Sequence, residues 1–237
     1  IELAREQTDK VFVIIAEFGN TRHSAYPDTN PDGTPASDAL TFDGPLHNQI
    51  PEPNRKLDNT TLWLPDYNVA HYEDMYFNRM AEYWQSQSSG RYSIEGSVTE
   101  WVKVPFNEAR YGRNVCGGIV CSNTWFLIRD AMAFWVQDQL AAGKTLAEIT
   151  DYLKTFDVWD RYDFDGDGDF NEADGYIDHF QIVHAGGDEA AGDPQQGTDA
   201  IWSHRWYAQI NPFGTSGPAG LAPFGGVNAG EGGVSSG

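Results

Sequence analysis

Five aspartates crowd into the twelve residues Asp163–Asp174, DFDGDGDFNEAD, a composition suited to gripping a hard cation. With Asp163 as position 1, carboxylates fall at positions 1, 3 and 5 in Asp163, Asp165 and Asp167. Gly168 occupies position 6, where such a loop turns sharply. Asp169 at position 7 offers its backbone carbonyl, and Asn171 at position 9 can act through water. Asp174 fills position 12, where a bidentate Glu is usual, so its reach is shorter. Phe170 is expected to anchor the loop in the fold. Calcium takes six to eight oxygen ligands in a flexible shell, and this loop supplies nothing softer than oxygen. Magnesium, with its small octahedral shell, fits so crowded a cage poorly. Without a cation, each carboxylate pair about 4 Å apart costs up to roughly 4 kcal/mol at an effective dielectric of about 20. The competing reading is a solvated acidic turn.

Other chemistry-bearing residues make no complete catalytic arrangement. No HExxH segment occurs, and the histidines are His23, His47, His71, His179, His184 and His204. His179 and His184 fall on opposite faces of a regular strand, so they form no zinc half-site. His184 precedes Ala185–Gly187 and could face a cleft or make a structural hydrogen bond. Asp188, Glu189 and Asp193 form a second acidic turn, either solvated or a weaker cation site. Ser203 and His204 are adjacent, but neither a nucleophile elbow nor an oxyanion pair accompanies them. The Gly-rich stretches lack the Lys–Ser/Thr of a phosphate loop. Glu17 ends an apolar run and could be functional or simply emerge at a sheet edge.

The elements that must hold the acidic loop are legible from periodicity. Val11–Phe18 reads as a buried strand. Gly19–Pro65 is polar and proline-rich and reads as surface loops that shape a cleft. His71–Gln87 carries Tyr72, Met75, Tyr76, Met80 and Tyr83 at helical spacing and ends before Gly90. Tyr92–Val104 alternates as strand, with Gly96 marking a turn or bulge. Thr124–Ala142 is a second helix. Thr145 and Glu148 have the spacing of a capping box that opens a third, running to about Asp157. The acidic loop then leads into a strand, Tyr176–Val183. A helix-to-strand corner is a clamp rather than a switch, so the expected ion is structural. The order suits an α/β (mixed α+β) fold.

The chain has 237 residues with a formal charge of −20, a surface that repels nucleic acid and anionic membranes. Its longest apolar run, Val11–Ala16, is far shorter than the roughly 20 residues of a membrane span. The only cysteines are Cys116 and Cys121, open to a disulfide or to two buried thiols; a disulfide would place the protein outside the reducing cytosol. Residues 211–237 hold nine glycines and one charged residue, Glu231, and read as a loop leading out of a first unit, 1–210.

The run Asp157–Gly187, DVWDRYDFDGDGDFNEADGYIDHFQIVHAGG, resembles the immune inhibitor A metallopeptidases, which are secreted bacterial zincins. VFVIIAEFGNTRH from Val11, HYEDMYFNRM at His71–Met80, SGRYSIEGSVTEWVKVP at Ser89–Pro105 and AIWSHRW at Ala200–Trp206 agree. The resemblance implies a secreted, extracellular endopeptidase whose catalytic zinc is held by an HExxH helix. It implies a zincin-like upper lobe with a mixed twisted sheet, one edge of which pairs with an extended peptide; Tyr92–Val104 is the expected segment. That helix is absent from these residues, so no catalytic residue can be assigned. The expected partner is the C-terminal remainder of the same protein, either continuous with this chain or a separate chain after autolysis in the glycine-rich loop. The rival readings are a non-catalytic secreted calcium-binding module for protein or glycan, with Trp and Tyr lining its surface, and a hydrolase using two carboxylates across a cleft.

Overall fold

The computed structural model describes residues 6–21 and 44–205, apart from 119, 162, 164, 194 and 195, and the backbone of 215–216, 225–228 and 235–236. The apolar run forms the central strand β1 (Thr8–Glu17), in which Phe12 to Ala16 have no exposed surface. A parallel strand buried on both faces needs a continuous apolar sequence, and this run supplies it.

The helix expected at His71–Gln87 starts slightly earlier. It comprises α1 (Val69–Glu73), a π-helical stretch (Asp74–Met80) and α2 (Ala81–Gln87), and the Asn68 side chain caps it by accepting the His71 N–H. Then come β2 (Ser93–Val98) and β3 (Val102–Lys103), both parallel to β1.

Gly96 makes no turn between strands: it lies inside β2, where a Cβ would sit 2.0 Å from the Val11 carbonyl oxygen. The interruption falls later. The register passes from Val13 opposite Val98 to Ala16 opposite Val102, so Thr99–Trp101 face only Ile14 and Ile15. This one-residue bulge leaves the Ile15 N–H to the Thr99 hydroxyl, 3.2 Å away.

Beyond α3 (Ala109–Gly112), α4 (Trp125–Ala141) and α5 (Leu146–Leu153) cover one face of the sheet. Leu127, Met132, Trp135, Ile149 and Leu153 pack there on Phe12, Ile14 and Ala16. Tyr72 and Tyr76 cover Val13 and Ile15 on the other face. The capping box before α5 is present: the Thr145 hydroxyl accepts the Glu148 N–H at 3.2 Å, and Glu148 accepts the Thr145 N–H at 2.8 Å.

The strand expected at Tyr176–Val183 divides into β4 (Tyr176–Ile177) and β5 (His179–His184). β5 pairs in parallel with β1 on the side away from β2. β4 instead joins a second small sheet with β8 (Ser235–Ser236), β7 (Gly225–Asn228) and β6 (Thr215–Ser216). The glycine-rich stretch, read as loop, therefore contributes three short strands: β8 pairs in parallel with β4, and β7 and β6 follow in antiparallel steps. The fold is α/β with a mixed set of helices and strands. Residues 44–65 contain no helix or strand, as expected; 22–43 lie outside the described residues. Cys116 and Cys121 form a disulfide. No helix among the described residues is long and apolar enough to cross a membrane.

Candidate metal centre

The acidic loop is held at both ends. Upstream, α5 closes with a 3₁₀ turn, Lys154–Phe156, that places Asp157 in the interior at 4 % exposure. The Asp157 carboxylate accepts the N–H groups of Asp174 and Gly175, each at 2.9 Å. One buried side chain thus ties the end of the loop to its beginning. Phe170 does not serve as the anchor: it is 47 % exposed. The loop lies on the surface with little apolar wall beside position 8, and a polar tether does the work expected of the ring.

Within the loop, Asp163 has φ 50° and Gly168 φ 87°, and these left-handed residues fold the chain back on itself. Asp163 Oδ1 accepts the Gly168 N–H at 3.0 Å. Asp165 and Asp167 each accept the N–H two residues on, at 3.1 and 2.7 Å. One ligand oxygen from each of Asp163, Asp165 and Asp167 comes within 4.8 Å of the others. Oxygens bound to one calcium at about 2.3–2.6 Å lie at most about 5 Å apart, so this spacing and all-oxygen donor set fit that ion.

The carboxylates of the other two expected ligands lie outside this group; the role expected of Asp169 is through its backbone carbonyl. Asp169 is exposed and its Oδ1 accepts the Asn171 N–H at 2.9 Å. Asp174 turns inward, accepts the Tyr176 N–H at 2.8 Å, and faces Asp157 and Asp160 electrostatically.

Two residues passed over in the sequence join the centre. Asp160, Asp165 and Glu172 form a second group within 4.8 Å, sharing Asp165 with the first. Desolvation, followed by the charges of Asp165, Asp167 and Asp169, raises the Glu172 pKa. Burial is also the first cause of the raised values at Asp157, about 6, and Asp174, about 7. The signal was present as the i, i+3 spacing of Asp157, Asp160 and Asp163, which extends the acidic run upstream.

The histidines are dispersed. His179 Nε2 lies 3.2 Å from Asp9, His184 Nδ1 3.0 Å from the Ala185 carbonyl, and His204 Nδ1 2.7 Å from the Trp202 carbonyl. His47 pairs with Glu17 and stacks on Trp101 at a centroid distance of 4.6 Å. His23 lies outside the described residues. In the second acidic turn, Asp188 is a structural cap that accepts from Ala190 and Ser203.

The outer edge of β5 pairs with no strand among the described residues. It opens on a groove of about 600 Å³ whose walls include Trp84, Trp125, Trp159, Trp202, His179 and His204.

The sequence profile of the immune inhibitor A peptidase M6 catalytic domain matches residues 1–232. This chain belongs to that family. Immune inhibitor A of Bacillus thuringiensis subsp. alesti is 34 % identical over 179 residues, covering 69 % of this chain and 24 % of that protein. The pre-pro-metalloprotease PrtV of Vibrio cholerae is 35 % identical over 183 residues, covering 71 % of this chain and 18 % of that protein. The chain thus spans about a quarter or less of the length of these curated relatives. Membership implies a catalytic metal, zinc, and the described residues do not fit one. Neither convergent group contains a histidine, and the sequence has no HExxH. The two acidic groups, all hard oxygen, suit calcium instead.

Proposed function

We propose that this chain is the first part of the catalytic domain of a secreted zinc-dependent endopeptidase, braced by calcium at Asp163, Asp165 and Asp167 with Asp160 and Glu172 alongside. The family match over residues 1–232 carries this reading. The zinc and its HExxH helix belong, on this proposal, to the C-terminal remainder of the same protein. The disulfide accords with an oxidising, extracellular destination.

This part's contribution is a rigid parallel sheet with two edges open among the described residues. The β2–β3 edge, in the segment expected to pair with substrate, is interrupted by the Thr99–Trp101 bulge, a device that discourages strand addition. The β5 edge is regular over the six residues His179–His184 and faces the tryptophan-lined groove. We assign the docking of the remainder to that side, where it would cover apolar wall and complete the cleft for a peptide substrate. When bound there, zinc would supply Lewis-acid activation of the scissile carbonyl and of a water molecule.

The test is expression of residues 1–237 alone and joined to their C-terminal remainder, each assayed on casein with zinc and calcium. Only the joined form should cleave. Hydrolysis by the isolated chain, with contaminating protease excluded by an affinity-purified control, would overturn the division of labour. Denaturing electrophoresis of the active form would reveal whether the halves are nicked apart.

A further inference from the structure

The two halves of the disulfide Cys116–Cys121 have different surroundings. Cys116 is exposed, whereas Cys121 is buried, at 3 % exposure. A thiol arriving from solution therefore meets Cys116 first, and the sulfur that must leave is that of Cys121.

The setting of Cys121 favours that departure. Its Sγ accepts the Cys116 backbone N–H at 3.1 Å. Cys121 also stands at the N-terminal end of the 3₁₀ turn Ser122–Thr124, which runs straight into α4. An N–H donor and the start of a long helix both favour negative charge on sulfur. A thiolate stabilised in this way is the better leaving group in thiol–disulfide exchange.

The chain on either side of the bond is held without sulfur. Asn123, with no exposed surface, donates its Nδ2 to the Arg113 carbonyl at 3.0 Å. Arg113 grips Asp199 with two bonds, at 2.7 and 2.6 Å. Asn114 donates to Glu189 Oε1 at 2.7 Å. Opening the disulfide therefore leaves these ties in place and frees chiefly the entry to α4. That entry reaches the groove beside β5: Thr124 and Trp125 line it, and the Trp125 ring meets His204 edge-on at a centroid distance of 5.9 Å.

We propose that Cys116–Cys121 is a thiol-exchange switch set beside the groove. A small external thiolate attacks Cys116 Sγ, the S–S bond breaks, and Cys121 leaves as a thiolate, with a mixed disulfide on Cys116. A second external thiolate attacks the external sulfur of that mixed disulfide and releases Cys116. Two external thiols become one disulfide, and their two electrons and two protons convert the protein pair to two thiols. The reduced chain keeps its fold and has a looser α4 entry. The switch depends on neither the calcium loop nor the peptidase reading.

The experiment treats the native full-length protein with glutathione at about pH 8. The reaction is quenched in acid, the free thiols are capped with N-ethylmaleimide under denaturing conditions, and the mixed disulfide is located by peptide mass. Glutathione should be found on Cys116 over Cys121 by about tenfold or more in the native protein, and near parity in urea. Parity in the native protein, or reduction only where urea unfolds the chain, would overturn the switch. Amide exchange then compares the oxidised protein with the reduced and alkylated one. Faster exchange at Ser122–Trp125 with β1 unchanged is expected. Unchanged exchange at Ser122–Trp125 would sever the link to the groove, and loss of protection throughout would make the bond a structural staple instead.

Discussion

The Asp157 carboxylate and the Asp174 backbone meet at 2.9 Å, closing the acidic loop across seventeen residues of sequence. A buried acid therefore sits at the base of a surface cluster of acids, and the repulsion among them sets how the corner responds to metal and to protons.

Calcium removal should lower the melting temperature with little change of shape. An ion at about a hundred times its Kd stabilises by about 2.7 kcal/mol, which for a chain of this size corresponds to roughly 5–10 °C. Calorimetry with calcium and with chelator measures the shift, and far-ultraviolet circular dichroism should be nearly the same in both. Identical transitions would count against a bound ion.

In chelator, the pH dependence should run opposite to that of the calcium form. Asp157 at about 6 and Asp174 at about 7 both lie above the ordinary 3.8. The metal-free native chain therefore holds protons that the unfolded chain gives up. This contribution favours folding at acid pH and is lost as pH rises through 6 to 7. Calcium reverses the sign, since acid protonates the ligands and releases the ion. The stability increment due to calcium, from urea unfolding, should grow from pH 5 to pH 8 by on the order of 1–3 kcal/mol. A flat increment would show that these carboxyls do not titrate with the site.

Asp157→Ala removes the acceptor of two backbone N–H groups, Asp174 and Gly175. The expected loss is about 2–3 kcal/mol, with weaker calcium binding, because two part-buried donors are left unpaired. Asp157→Asn, which keeps one acceptor oxygen, should lose less. Titration calorimetry and denaturant midpoints on the pair check the order.

Gly96→Ala should break the β1–β2 pairing, since its Cβ would fall 2.0 Å from the Val11 carbonyl oxygen. Backbone cannot yield cheaply there, so a loss above about 3 kcal/mol, or insoluble protein, is expected. Wild-type solubility and melting temperature in this variant would contradict the register.

Thr145→Ala should cost about 1 kcal/mol, the usual value of an N-cap. The loss should fall on the start of α5, seen as faster amide exchange at Glu148, whose N–H the Thr145 hydroxyl accepts.

Much of the scaffold was legible because the signals are local. β1 announces itself as an unbroken apolar run, and α5 by a capping box three residues across. The acidic loop shows its turn and its first three carboxylates in plain order. The misreadings are equally physical. Gly96 has the sequence signature of a turn, yet here it makes room for the neighbouring strand's carbonyl. Phe170 has the look of an anchor, and nothing local reveals that its side of the loop faces solvent.

By itself, then, the sequence determined the central strand, the helices around it, the cluster of carboxylates at Asp163–Asp167 and the lack of an HExxH motif in these residues. Each depends on residues within a few positions of one another, where spacing dictates geometry. Only the tertiary structure decided that Asp174 turns inward while Glu172 and Asp160 face Asp165, that the edge strand bulges at Thr99, and that Glu108 is wholly buried. Those contacts join residues on separate elements, and the packing of helix on sheet, which no local pattern encodes, sets which carboxylate meets which.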